Sequence, residues 1–182
     1  MKLKVLSLED CEQVRLWRND CLETLRTPFP LTREQQIHFY HDVVCDRNAR
    51  ARYFGVWYEY PESSCRNDEF IGMVGLENIE WENCRAEISI ILSPENRGQG
   101  YGKEAIDMLL DKGFNQLGLR QIWGEYFHCN PAKEFWQKII KKYHAYNVEH
   151  KCIKFWNGEY WNSTYFSIDW KEYLKTKKGK ED

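Results

Sequence analysis

Hydrophobic positions along the chain alternate with polar ones in some stretches and recur every three to four residues in others, which are the periods of strands and helices. The first kind of pattern, with many β-branched and aromatic residues, predicts strands over Lys2–Leu6, Arg52–Tyr60, Phe70–Ile79, Arg85–Leu92, Gln121–Phe127, Val148–Phe155 and Tyr160–Asp169. The second kind predicts helices from a cap near Ser7 to about Cys21, from Thr32 to about Cys45, over Lys103–Leu117, and from Pro131 to about Tyr143. The order predicts one α/β domain with a mixed sheet.

Short polar and proline-containing segments separate these elements. Thr32 and Gln35 form the sequence pattern of a capping box, and Asn157-Gly158 is typical of a tight hairpin turn. No repeat or linker interrupts the chain, so we expect one domain over residues 1–174. Lys175–Asp182 is highly charged, which predicts a frayed tail.

Composition and charge narrow the possible functions. The 182 residues are 42 % apolar and 30 % charged, which is typical of a globular domain. Lys and Arg total 26 and Asp and Glu total 28, so the chain has no basic excess with which to bind nucleic acid. Apolar stretches such as the one around Ile88–Leu92 are too short to span a membrane, and we expect no secretion signal after Met1. These features favour a cytoplasmic protein that binds neither nucleic acid nor membrane.

Cysteine and histidine residues do not form a recognisable metal-binding pattern. The seven cysteines are odd in number and no pair has the spacing C-x-x-C, which favours reduced thiols. His38 and His41 share one face of a predicted helix, but no third ligand is apparent, so a solvated helix face is the simpler interpretation. We expect no metal.

A glycine-rich segment, Arg97–Lys103, joins a predicted buried strand to an amphipathic helix. The first turn of a helix leaves backbone N–H groups unpaired and has about half a positive charge, so such a segment is typical of phosphate or pyrophosphate binding. A P-loop needs Ser or Thr after Gly-Lys, but Glu104 follows here. A Rossmann fingerprint is disfavoured because the spacing is G-x-G-x-G and the segment follows about four strands.

The run R-x-x-G-x-G, after a strand that ends in Ile-Ile-Leu-Ser-Pro, resembles the coenzyme A signature of the GNAT superfamily of N-acyltransferases. The order of predicted elements resembles the GNAT fold over nearly the whole chain. Arg85–Ile90, Trp17–Asp20 and Pro30–Gln35 resemble the branch that contains ribosomal-protein N-terminal, spermidine and nucleotide-amino-sugar acetyltransferases. The resemblance implies a GNAT fold, with a mostly antiparallel twisted sheet of about seven strands flanked by helices, and acetyl-CoA or another acyl-CoA as cosubstrate.

The resemblance also implies a cofactor site. Backbone groups of Ile90, Ile91 and Leu92 would pair with the pantetheine arm, and a bulge there would direct the amide of Leu92 at the thioester oxygen. Residues 97–102 would hold the pyrophosphate, with Lys103 near the phosphates and residues 130–136 beside the arm. The implied cofactor-binding residues are Ile90, Ile91, Leu92, Arg97, Gly98, Gln99, Gly100, Tyr101, Gly102, Lys103, Asn130 and Trp136.

The sequence departs from the family at the position of its usual general acid. Trp136 stands where a Tyr is common, and indole cannot protonate a thiolate. A thiolate with a pKa near 8.5 leaves tolerably alone, and a proton could instead come from Tyr143, Tyr126, Cys129 or water.

Acyl transfer to an alkylamine also requires a base, because the amine is mostly protonated at neutral pH. Glu87 is the first candidate, since an acid on the otherwise apolar strand Ile88–Ile90 is costly unless it is used. The alternative is a structural carboxylate paired with Arg85 or a buried donor. His128, at a predicted strand end, is a second candidate base, although a packing role is the simpler interpretation.

These observations predict an acyl-CoA-dependent N-acyltransferase acting on a small-molecule amine. Within the branch, the chain most resembles enzymes that acetylate nucleotide-linked amino sugars, which implies such a sugar as the first candidate acceptor. The C-terminal third is also rich in aromatic residues that could stack on a sugar or base. Protein N-terminal acetylation, and a GNAT-like module that binds coenzyme A without turnover, remain alternatives. A polyamine acceptor is disfavoured because the net charge is only −2. Open sheet edges leave a homodimer as a possible assembly.

Overall fold

The structure, a computed structural model, describes residues 1–178, and its strands form one seven-stranded sheet. The strands are β1 Lys2–Lys4, β2 Arg52–Tyr58, β3 Glu69–Glu80, β4 Arg85–Leu92, β5 Gln121–Phe127, β6 Tyr146–Trp156 and β7 Glu159–Asp169. Their order across the sheet is β1-β2-β3-β4-β5-β7-β6. β4 and β5 pair in parallel and the other neighbours pair antiparallel, so the predicted mixed, mostly antiparallel sheet is confirmed.

Among the described residues, 1–178, five α-helices flank the sheet, and the first four were predicted. They are α1 Leu8–Asn19, α2 Arg33–Phe39, α3 Tyr101–Asp111, α4 Lys133–Lys142 and α5 Trp170–Lys178. Capping boxes begin α1, through Ser7 and Asp10, and α2, through Thr32 and Gln35. One π-helical turn extends α2 and another extends α3. Within residues 1–178, no helix is both long enough and apolar enough to cross a membrane.

Helix α5 corrects the predicted boundary between domain and tail at residue 174. The helix continues to Lys178, and Tyr173 is only 1 % exposed, with its ring 4.9 Å from that of Phe114. The Tyr173 hydroxyl donates to Asp111 at 3.0 Å. Because the segment is rich in charged residues, its sequence pattern does not indicate a helix with one apolar face. That face packs on the core. Residues 179–182 of the predicted tail lie outside the described part of the chain.

Two apolar clusters lie on opposite faces of the sheet. The larger cluster packs α3, α4 and α5 on one face; its fully buried members include Val74, Leu76, Ile106, Leu109, Ile122 and Phe166. The smaller cluster packs α1 on the other face and contains Leu6, Cys11, Val14, Trp17 and Met73. Because strand residues alternate between faces, β4 and β5 contribute to both sides of the sheet.

The sheet opens between β4 and β5. These strands pair at three positions, from Arg85 opposite Gln121 to Glu87 opposite Trp123, although β4 continues to Leu92 and β5 to Phe127. Beyond Glu87, β4 stays paired with β3, and β5 stays paired with β7. The two strands therefore form a fork, with Glu87 and Trp123 at its base.

Candidate active site

The glycine-rich turn presents backbone N–H groups at the start of α3, just beyond the end of β4. Gly98 and Gly100 have φ of 75° and 91°, a region that favours glycine. In the described part of the chain, the amides of residues 98–102 have no backbone acceptor, because the first hydrogen bonds of α3 begin at Lys103. Added to the positive end of the helix dipole, these free donors suit an anionic group such as a pyrophosphate.

Side chains around the turn brace it. Arg97 donates from Nε to the Leu92 carbonyl at 3.1 Å, and Gln99 donates to the Glu95 carbonyl at 2.7 Å. A Cβ atom at Gly102 would lie 3.2 Å from the ring of Phe135, so this glycine allows α3 to approach α4 closely. Tyr101 packs against Tyr58, whereas Lys103 is exposed. The roles of residues 97–103 toward a cofactor stay predictions.

The expected bulge at Ile90–Leu92 is wrong. β4 pairs with β3 in unbroken register from Glu87 opposite Glu77 to Leu92 opposite Gly72. The irregularity lies at the other end of the pair, between Glu77 and Glu80. The edge of β4 that faces β5 is open beyond Glu87, so the predicted pantetheine contacts of residues 90–92 would be made there.

Glu87 lies at the base of the fork and is 6 % exposed. Its Oε1 is 2.5 Å from the Arg26 guanidinium, and its Oε2 accepts a hydrogen bond from Asn78 Nδ2 at 2.8 Å. Arg85 was expected to pair with Glu87 if that carboxylate were structural, but its Nε lies 3.7 Å from Glu80 instead. Glu87 is therefore both paired and adjacent to the opening, and its role as a base stays a prediction.

Sequence reasoning missed two residues that surround Glu87. Glu125 lies two residues after Trp123 on β5, so it shares the Glu87 face, and its carboxylate accepts from Ser163 Oγ at 2.7 Å. Arg26 bridges the two carboxylates, lying 3.4 Å from Glu125, and its guanidinium lies over the ring of Trp123. The alternation along β5 could have revealed Glu125, whereas no local pattern identifies Arg26.

His128 lies on the opposite face of the sheet from Glu87. Its Nε2 is 2.9 Å from Thr164 Oγ1, and its ring stacks on that of Tyr126. It lines a cavity of about 300 Å³ together with residues of α4 and β6. The structure therefore does not bring the two predicted bases together.

Tyr143 is not placed to act as a general acid, so that prediction is wrong. It is 1 % exposed and its hydroxyl donates to Asp107 Oδ1 at 2.6 Å, within the core. Burial, and after it the hydrogen bond to Asp107, raise its pKa. Tyr126 is also buried. Burial raises the pKa of the half-buried Cys129, whose Sγ donates to the Glu23 carbonyl at 3.5 Å.

Trp136 and Asn130, the predicted neighbours of the pantetheine arm, have different environments. Trp136 is 8 % exposed and packs against Phe166 and Phe135, and its place beside the pantetheine arm stays a prediction. It fills the core where α4 covers the sheet. Asn130 is half-buried; its Oδ1 accepts from the Ala132 amide at 2.7 Å and its carbonyl accepts from the Lys133 amide. Asn130 thus shapes the start of α4, and its contact with a cofactor stays a prediction.

A comparison with family models decides the membership of the chain. Residues 1–145 match the model of the acetyltransferase (GNAT) domain, which covers most of the sequence. The chain belongs to this family. The GNAT resemblance predicted from the glycine-rich turn is thereby confirmed.

Curated relatives of this GNAT chain match over shorter segments. It is 44 % identical to the uncharacterized N-acetyltransferase p20 of Bacillus licheniformis over 55 residues, which is 30 % of this chain and 31 % of that one. It is 32 % identical to the spermidine N(1)-acetyltransferase of Escherichia coli K12 over 108 residues, which is 58 % of this chain and 56 % of that one. The chain therefore spans less than two thirds of the length of either relative.

Solved structures share the GNAT fold over nearly the full chain. A spermidine N-acetyltransferase from Vibrio cholerae in complex with CoA and spermine has a TM-score of 0.76 at 22 % identity, covering 95 % of this chain and 97 % of that one. Mutant forms of the spermidine/spermine N-acetyltransferase SpeG from the same organism give a TM-score of 0.77 at 21 % identity, covering 96 % of both chains. At this identity, the likeness shows the fold.

No group of three or more His, Cys, Asp or Glu side chains within residues 1–178 of this GNAT chain is arranged to hold a metal ion. All seven cysteines are free thiols. His41 stacks edge-on against Tyr40 in the π-helical turn after α2.

Proposed function

We propose that the protein is an acetyl-CoA-dependent N-acetyltransferase that acts on the primary amine of a small molecule. The observation that carries this proposal is the position of Glu87, a carboxylate at the base of the fork between β4 and β5. The strand that bears it leads directly into a glycine-rich turn with free amides. An anion site and a potential base thus lie at the two ends of the same opening.

The arrangement of the turn, the open edge of β4 and Glu87 gives each of them a role in the proposed reaction. Acetyl-CoA supplies a thioester whose acyl carbon the amine attacks. The amides of residues 98–102 and the N-terminus of α3 would bind its pyrophosphate, and the open edge of β4 would align its arm. Glu87 would accept a proton from the acceptor ammonium, directly or through water, so that a neutral amine attacks. A main-chain amide near Leu92 is the proposed donor to the oxyanion.

A polyamine is the first acceptor to consider. The relatives named as spermidine acetyltransferases support this choice. The net charge of −2 disfavours it for the chain as a whole, but three carboxylates are gathered on one face of the sheet. Glu77 lies opposite Glu87 on β3, and Glu125 lies on β5. The local charge, rather than the total, is what an acceptor meets.

A nucleotide-linked amino sugar has less support. Its case rested on the family resemblance and, in part, on aromatic side chains expected to line the acceptor side. Of these, Trp136 is a core residue, while Trp123 stacks on Tyr165 at 5.5 Å and is covered by Arg26. The relatives reported above include no amino-sugar enzyme. Peptide N-terminal acetylation and binding without turnover remain the alternatives that an assay must separate.

Thiol release from acetyl-CoA, measured with spermidine, spermine, a nucleotide-linked amino sugar and a peptide with a free N-terminus, tests the proposal. We expect turnover with at least the polyamines, and stabilisation of the protein by acetyl-CoA in a thermal shift experiment. Stabilisation without thiol release from any acceptor would indicate a binding module instead. Absence of stabilisation at saturating acetyl-CoA would overturn the cofactor assignment.

The proposed homodimer is a separate question. β1 and β6 are the two edges of the sheet, so either could pair with a second copy. Sedimentation velocity would decide between monomer and dimer.

A further inference from the structure

The contacts of Arg26 differ from those of an ordinary surface arginine. Its guanidinium reaches Glu87 at 2.5 Å and Glu125 at 3.4 Å, and lies 5.6 Å from the centre of the Trp123 ring. The side chain of Arg26 is 47 % exposed, whereas those of Glu87 and Glu125 are 8 % and 15 % exposed. The cation therefore lies at the mouth of the fork, with both carboxylates beneath it.

The loop that carries Arg26 is held from several directions. On one side of Arg26, the Leu25 carbonyl accepts from the buried Lys154 of β6. On the other, the Leu31 carbonyl accepts from Arg15 and from Asn19 of α1, at 2.9 Å each. Lys154 in turn lies over the Phe127 ring at the end of β5. These contacts fix the position of Arg26 relative to β5 and β6.

The charges at the base of the fork are therefore partly compensated, because two carboxylates share one guanidinium. Glu87 has Arg26 and Asn78 as partners, and Glu125 has Arg26 and Ser163. A guanidinium that bridges two carboxylates presents positive charge to any group that approaches from outside. An acceptor ammonium that reaches Glu87 must come close to this like charge, and each further ammonium of the acceptor adds to the repulsion from Arg26 itself.

We propose that Arg26 determines acceptor selectivity by charge, weakening the binding of polycationic amines relative to amines with a single positive charge. This inference rests on the proposed function. Arg26 lies between Glu87 and Glu125, so without its guanidinium both carboxylates would be available to the ammonium groups of a polyamine. A polyamine therefore competes with Arg26 for both carboxylates, whereas an acceptor with one amine meets Arg26 with a single charge.

Steady-state thiol release with Arg26→Gln tests this inference, using spermidine as the polycation and glucosamine as the amine with one charge. We expect KM for spermidine to fall about tenfold, which corresponds to about 1.4 kcal/mol, and KM for glucosamine to change less than about twofold. A purely structural role of Arg26 would change both acceptors alike. If the ratio of the KM of Arg26→Gln to the native KM were the same for both acceptors, the inference would be overturned and the proposed function would stand.

Matched variants separate charge from shape. Arg26→Lys keeps the charge and should keep the native KM for spermidine, so a fall like that of Arg26→Gln would count against the inference. As a control, Lys175→Gln removes one positive charge from the exposed salt bridge between Lys175 and Glu172 on α5. This change should alter neither KM. Arg26→Gln with Glu125→Gln should lose the gain for spermidine, because the freed carboxylate is removed as well.

Folding is checked by the thermal shift that acetyl-CoA produces in each variant. Should Arg26→Gln not fold, Arg26→Met supplies an uncharged side chain that still packs on Trp123, with the same expected KM values. Absence of thiol release with every amine, in the native protein and in folded variants, would overturn the proposed function together with this inference.

Discussion

The two faces of β4, β5 and β7 have opposite chemistry although they belong to the same strands. On the face covered by α3 and α4, Ile88, Ile122 and Phe166 are at most 5 % exposed and purely apolar. On the other face, Glu87 and Glu125 meet Arg26 at the mouth of an opening. Residues adjacent in sequence, such as Glu87 and Ile88, therefore belong to different environments.

The difference between the two faces explains why some predicted site residues lie in the core and others lie at the opening. Tyr143 and Trp136 have functional groups that suit a site, but both lie on the packed side and their ring contacts are with the core. Glu87 is almost as buried, yet its partners are an exposed arginine and an asparagine. Side-chain chemistry alone does not identify a site; the face of the sheet decides which groups can meet a ligand.

The substitution Glu87→Gln tests the charged face most directly, and we expect the largest effect. If Glu87 is the base, kcat for the amine acceptor should fall about 10²- to 10⁴-fold at neutral pH, with acetyl-CoA binding retained. Steady-state thiol release with a thermal shift control measures both. His128→Gln, on the other face, should leave kcat nearly unchanged. Full activity of Glu87→Gln across the pH range would show that Glu87 is structural.

The glycine-rich turn provides the second test, because its effect should be confined to the cofactor. Gly100 has φ of 91° with open space around a Cβ, so Gly100→Ala adds strain of about 1 kcal/mol without a clash. We expect the turn to relax and KM for acetyl-CoA to rise about tenfold.

Gly118→Ala is the matched control for this change. Gly118 also has positive φ, 68°, and open space, but it lies between α3 and β5, away from the turn. Both variants should lose a similar amount of stability in chemical denaturation. The role of the turn would be refuted by an equal rise in KM for acetyl-CoA in the two variants.

Tyr143→Phe tests the packed face and should have a smaller effect, on stability alone. The change removes the donor to Asp107 while keeping the ring contact with Tyr173, so unfolding in urea should be easier by about 1 kcal/mol. The rate of thiol release should not change. A large loss of kcat with normal stability would restore Tyr143 as a candidate acid and would break the distinction between the faces.

Thiol alkylation gives the smallest and most local test. The face that bears Glu87 also carries the smaller apolar cluster, in which burial raises the pKa of Cys11 to about 12. Since the thiolate is the reactive form, Cys11 should stay unlabelled by iodoacetamide at about pH 8.5 in the folded protein. Cys45, Cys65 and Cys152 are exposed and should be labelled first, as read by mass spectrometry. Early labelling of Cys11 would mean that α1 opens readily.

Much of the fold follows from local pattern, whereas the site depends on contacts between distant segments. Alternation over Arg85–Leu92 and the capping box at Thr32 predict their elements, because both signals lie within a few residues. Arg26 and Glu87 are 61 positions apart (87 − 26), and their contact exists only once the first loop folds over the sheet. Helix α5 was not predicted for a different reason, because its charged residues outnumber those that face the core.

The closing hairpin of β6 and β7 lies beyond residue 145, where the match to the GNAT family model ends. Yet this hairpin contributes Ser163, which contacts Glu125, and Lys154, which holds the Arg26 loop. The residues expected to bind the cofactor thus lie within the matched domain, while part of the proposed acceptor side belongs to a segment outside that match. If the acceptor binds at this charged face, substitutions in the hairpin would alter acceptor preference without touching the glycine-rich turn.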